Sequence, residues 1–197
     1  MSQRLEPPEN SCHPKSRAQW RRWLERNHAR AEGVWLVTYK KASGKARMSY
    51  DEAVEEALCW GWIDSRTRAL DDERGMLWMA PRKAKSGWSR TNKVRVKRLT
   101  AEGLMAPPGL ARIAAAKRDG SWSALDDVED MVVPADLSRA LASSGAQAHF
   151  DGFAPSIRKA ILGWIASAKR PETRGKRVEE TARLAAMKIP PPQWIRK

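Results

Sequence analysis

The chain has 197 residues, of which 42% are hydrophobic and 30% charged, with a net charge of +14. That length buries a real core, and the composition excludes a disordered polymer. Two cysteines exclude a disulfide framework, and no run reaches the roughly 18 apolar residues that a bilayer span needs. The first twenty residues have no apolar signal region, so a cytoplasmic location is expected. Positive charge is concentrated early. Residues 1–121 hold 25 basic and 14 acidic side chains, against 12 and 9 in the remainder. Such an imbalance attracts nucleic acid, phosphorylated ligands or anionic surfaces.

Residues 1–15, rich in proline and polar side chains, read as a flexible leader. Ser16 and Gln19 resemble a capping box, and Trp20, Trp23, Leu24 and Ala31 follow at helical spacing, with Gly33 as the stop. "GVWLVTYKK" has the β-branched and aromatic content of a strand, and Gly44 centres a turn over 42–47. Ser49 and Glu52 form a second capping box ahead of Tyr50, Ala53, Val54, Ala57 and Leu58, a stripe that ends at Gly61. Alternation over 62–69 and 76–82 around "LDDERG" reads as a hairpin.

Helices dominate from there. Ser89 caps a basic helix that runs to Gly103, and a short helix over 108–118 closes at Gly120. Residues 121–133 form a linker. Pro134, Pro155 and Pro171 each suit a first helical position. The prolines of 191–197 mark a non-helical tail. The fold class is α+β: a small antiparallel sheet packed with helices over 16–120, then a helical C-terminal unit over 134–190 packed on it.

Residues 61–92 hold three tryptophans and seven basic side chains. Strand period puts Trp62, Asp64, Arg66 and Arg68 on one face. Matching the two alternations pairs Arg68 with Trp78 and Asp64 with Arg82, making one face an Arg–Trp–Asp platform. Arginine stems packed over indoles explain that platform structurally. The functional reading is an anion site of Arg66, Arg68, Arg82, Lys83, Ser86 and Trp88, with Trp62 and Trp78 adding aromatic surface. Arginine offers a planar fork to phosphate or carboxylate. Ser86 lies near a helix start, where exposed N–H groups favour anions. Lys40, Lys41 and Lys45 add charge to the same pocket or solvate a turn.

Metal and cofactor chemistry has no signature here. His13, His28 and His149 are isolated, and no Cys/His cluster has zinc spacing. Cys59 reads as a core thiol near a helix C-terminus. "ASGK" lacks the first glycine of a phosphate loop. The acidic pairs Glu55/Glu56 and Asp71/Asp72 read as solvated positions.

"NHARAEGVWLVTYKKASG", "SYDEAVEEALCWGWIDSRTRALDDER", "PRKAKSGWSRTNK" and "ILGWIASAKRPETRGKRVEET" together resemble the YdeI/OmpD-associated, or bacteriocin-protection, family. The resemblance runs from about Trp20 to about Thr181. It implies a link to the cell envelope and to tolerance of antimicrobial peptides, and it carries no catalytic residues across.

The leading expectation is therefore a cytoplasmic module for an anionic, phosphorylated or nucleotide-like small molecule. A nucleic-acid binder is the first alternative, with Lys93, Arg95, Lys97 and Arg98 on the basic helix tracking phosphates. An enzyme acting on a phosphorylated or carboxylated substrate is the second, with Asp64 as its acid or base.

Overall fold

The computed structural model describes residues 5–190. The first four residues of the expected leader and the 191–197 tail lie outside them. The chain divides into two compact units, 1–123 and 124–197.

The first unit carries strands β1 (Ser11–Cys12), β2 (Val34–Tyr39), β3 (Trp62–Ala69) and β4 (Arg74–Pro81). Its helices are α1 (Arg17–Asn27), α2 (Tyr50–Cys59), α3 (Arg90–Ala101) and α4 (Pro107–Arg118). The strands form one sheet in the order β1-β2-β4-β3. The sheet is mixed rather than antiparallel, because β1 runs parallel to β2 along its edge. Two residues with no alternation give no strand signal, so β1 was not expected.

Local signals fix the helix starts. Ser16, Ser49 and Ser89 each accept a bond from the backbone N–H three residues on. At Ser49 the box is reciprocal, with Glu52 reaching back to the cap N–H. Val34, Leu36, Leu77 and Met79 turn one sheet face toward Trp20 and Leu24 of α1 and Val54 and Leu58 of α2. Val37 and Met76, on the alternate parity, cluster with Leu70 and Trp35 on the other face. Gly109 lets α4 cross α2. A Cβ there would stand 2.2 Å from the Cys59 carbonyl oxygen, so no other residue fits without moving a helix.

Glu55 and Glu56 are buried, contrary to the solvated reading. Arg17 and Arg21 of α1 pair with Glu56 at 2.6 and 2.8 Å, and Arg98 of α3 pairs with Glu55. Three helices meet there, and the guanidinium forks compensate two carboxylates that would otherwise not enter an interior. Cys59 is fully buried, and burial pushes its thiol up to about 11. That leaves an inert side chain at neutral pH.

The hairpin register differs from the expected one. Arg68 stands opposite Met76 and Asp64 opposite Met79, with an irregularity between Asp64 and Thr67. Two features cause this. The turn is tight, because the Asp71 carboxylate accepts from the backbone N–H groups of Glu73 and Arg74. The bulge then shifts pairing by one more residue, which reverses side-chain parity along β3. Trp62 and Asp64 therefore share parity with Met79 on the helix-covered face. Arg66 lies over Trp35 and Trp78 on the other.

The second unit is all-helical, with α5 (Asp126–Glu129), α6 (Ala135–Ser143), α7 (Gln147–Asp151), α8 (Pro155–Ala166) and α9 (Pro171–Ala186). Leu137, Leu141, Phe150, Ile161, Ile165 and Ala185 form its core. Arg174 grips Asp136 with two bonds of 2.6 and 3.0 Å and holds that carboxyl below its usual range. The short helices α5 and α7 span about one turn each, too little for a periodic signal. Among the described residues no helix is long and apolar enough to cross a membrane.

Candidate functional site

β4 delivers Arg82 to the open end of the hairpin, where its N–H extends the ladder by bonding the Gly61 carbonyl at 2.9 Å. The residue is only 5% exposed. Its guanidinium lies 3.8 Å from the Trp88 ring centroid and donates from Nη2 to the Gly87 carbonyl. Nε has no partner. Burial pushes the Arg82 pKa down to about 10, against a weaker upward pull from the Asp64 charge. A cation held in this way lacks an anion of its own.

Arg82 forms part of an open groove of about 650 Å³. Its charged and aromatic lining is His28, Arg30, Trp78, Arg82, Lys83 and Arg112, and the remainder is glycine, alanine and proline. No carboxylate lines it. Among the described residues, none of Arg30, Arg82, Lys83 and Arg112 pairs with one. Arg30 donates to the Asn10 side chain and lies over Trp23, while Lys83 and Arg112 are exposed. His28 is held by contact with Trp60, at 5.1 Å between centroids. Gly61 adopts a left-handed backbone, φ 76°, and a Cβ there would stand 2.7 Å from Arg112 Cγ. The glycine thus admits the arginine stem to the groove's edge.

The sequence-predicted site residues fall around three cavities, with Arg82 and Lys83 shared by two of them. Arg82, Lys83 and Trp78 line the groove. Arg66 sits 5.2 Å from both the Trp35 and Trp78 centroids, beside it. Arg68 borders a different cavity of about 340 Å³, next to Lys40, Arg47 and Met48. Ser86 lines a cavity of about 30 Å³ together with Arg82, Lys83, Trp88, Arg112 and Asp119, room for a water or two. Trp62 and Trp88 are each 1% exposed and offer no face to a ligand. Trp62 donates its indole N–H to the His28 carbonyl at 3.0 Å, and Trp88 forms the floor beneath Arg82. Asp64 accepts a 2.7 Å bond from the Tyr50 hydroxyl. Burial first, and Asp64 second, push that phenol up to about 12. Lys40 donates to the Asp71 carbonyl and Lys45 pairs with Glu73, so both serve the turn.

His28, Arg30 and Arg112 were not foreseen. Two lie in the loop after α1 and one on α4, more than 80 residues on, so no local pattern connects them. The basic helix is partly neutralised. Arg95 pairs with Asp51, and Arg98 with Glu55 and Glu102. No group of three or more metal-ligating side chains occurs among the described residues.

These features define an α+β protein with a basic, tryptophan-rich first unit and a helical second one. Residues 12–112, half of the chain, match the family described as a domain of unknown function (DUF8412), and the chain belongs to it. Residues 130–188 match the family described as "Bacteriocin-protection, YdeI or OmpD-Associated" (OmdA). Three of the four sequence blocks that carried the resemblance fall under the first match and one under the second. No curated protein and no solved structure matches the chain.

Proposed function

We propose that the first unit binds a small anionic ligand, bearing phosphate or carboxylate, in the groove beside Arg82. The observation that carries this reading is a buried guanidinium without a carboxylate, in a groove with three further cations and no acid. An anion entering there meets in Arg82 a donor fixed in advance by packing, which lowers the ordering cost of binding. Arg82 supplies a planar donor set, while Lys83 and Arg112 supply further charge. The OmdA description attaches to residues 130–188, and we extend its theme, bacteriocin protection, to this chain as the setting in which the ligand acts.

Calorimetric titration with inorganic phosphate tests the reading. Wild type binds, and Lys83→Glu or Arg112→Glu weakens binding at least fivefold, since each places a negative charge in the groove. Arg68→Glu, at the other cavity, leaves it unchanged. An equal loss in Arg68→Glu, or no binding by wild type, overturns the proposal. Tracking of a nucleic-acid backbone is disfavoured by the ion pairs that occupy Arg95 and Arg98.

A further inference from the structure

We infer that the groove is specific for a nucleoside monophosphate, with its base stacked on Trp78 and its phosphate at Arg82. This inference rests on the anion reading above and adds the chemistry of the rest of the ligand. The groove's lining offers two unlike surfaces. One is cationic: Arg82, Lys83 and Arg112. The other is the Trp78 indole, half-buried and bordering the groove.

That indole is fixed from several sides. Trp35, its partner across β2 and β4, meets it edge-on at 5.2 Å and 69°. Arg66 lies 5.2 Å from its centroid. Gly33 packs so close that a Cβ there would stand 2.7 Å from the ring. A ring held this firmly has little freedom to lose when it takes a flat partner. A simple anion would use only the cationic wall. A ligand joining a π-surface to a phosphate uses both, and base-on-indole stacking accepts any base.

A free mononucleotide fits better than a strand. The groove, at about 650 Å³, falls within the range of small-ligand sites. A strand would need further cations to follow its next phosphates, and on α3 Arg95 and Arg98 are already committed to Asp51, Glu55 and Glu102.

The test compares inorganic phosphate, adenosine monophosphate and a short oligoadenylate on the full chain by calorimetry. Adenosine monophosphate binds about tenfold more tightly than phosphate, a factor in the range of one stacked base. Trp78→Leu costs adenosine monophosphate about that factor more than it costs phosphate, whereas Trp78→Phe retains part of the difference. Should the nucleotide bind no better than phosphate, the inference fails and the anion reading stands. Should Trp78→Leu weaken both ligands equally, Trp78 is a structural wall and the inference fails. Affinity that climbs with oligonucleotide length overturns it in favour of a strand. If neither phosphate nor nucleotide binds, both readings fall together.

Discussion

The two ends of the hairpin's second strand carry arginines buried to the same degree, Arg74 at 4% and Arg82 at 5% exposure, in opposite electrical situations. At the turn, Arg74 grips Asp71 through Nε and Nη2 at 2.8 and 2.6 Å and donates to the Leu5 carbonyl. At the open end, Arg82 has an indole beneath it, one carbonyl and no carboxylate. Burial is thus not what distinguishes them; compensation is. A closed ion pair has no further capacity and reads as structure. A buried cation balanced only by a ring quadrupole and a carbonyl keeps its attraction for an external anion. The same residue type thus stands in two different surroundings at the two ends of β4.

The largest expected effect breaks the open end. Trp88→Ala removes a fully buried ring and the surface on which Arg82 lies, costing about 3–5 kcal/mol by urea denaturation. Arg74→Met should come next, lowering the melting temperature by about 5 °C, because Asp71 then keeps only its backbone donors. Arg82→Met sharpens the contrast. It preserves much of the side-chain volume and removes a charge that burial penalises, so stability stays within about 1 kcal/mol of wild type. Phosphate should raise the wild-type melting temperature and leave that of Arg82→Met unmoved. If Arg82→Met destabilises as much as Arg74→Met, the two ends are equivalent and the comparison collapses.

Much of the frame was legible before the structure. Ser16, Ser49 and Ser89 mark their helices through a local bond, and Pro155 and Pro171 open theirs by fixed backbone geometry, while Pro134 is the cap residue ahead of α6 rather than its first helical residue. The hairpin's existence was equally legible, but its register was not. Parity along β3 depends on a bulge that alternation does not reveal, and a one-residue slip moved Trp62 and Asp64 away from Arg66. The lining of the candidate groove was legible only in part. Arg82, Lys83 and Trp78 lie in one cation- and tryptophan-rich segment. His28, Arg30 and Arg112 reach the groove only through tertiary packing of α1 and α4. Trp78 and Trp88 look alike in sequence, and only the sheet decides that one borders the groove while the other is sealed under a guanidinium.

The smallest expected effect follows pH, and the two ends answer at opposite extremes. Bonds from Arg74 hold the Asp71 carboxyl below its ordinary range. Its folded form thus binds a proton less readily than its unfolded form. The stability this gives is present above the ordinary carboxyl pKa and is lost as pH falls through the lower folded value. The gap between wild type and Asp71→Asn should accordingly be widest near neutrality and close on acidification, read from urea midpoints between pH 7 and pH 3. Arg82 runs the other way. Its folded pKa, about 10, lies below the ordinary arginine value, so the unfolded chain binds that proton more tightly. Unfolding stability attributable to it therefore rises as pH climbs through about 10, and wild type should gain on Arg82→Met between pH 9 and pH 11. Bound phosphate supplies the missing counter-charge and should flatten that alkaline gain. A gain of equal size with and without phosphate would mean that the anion sits elsewhere.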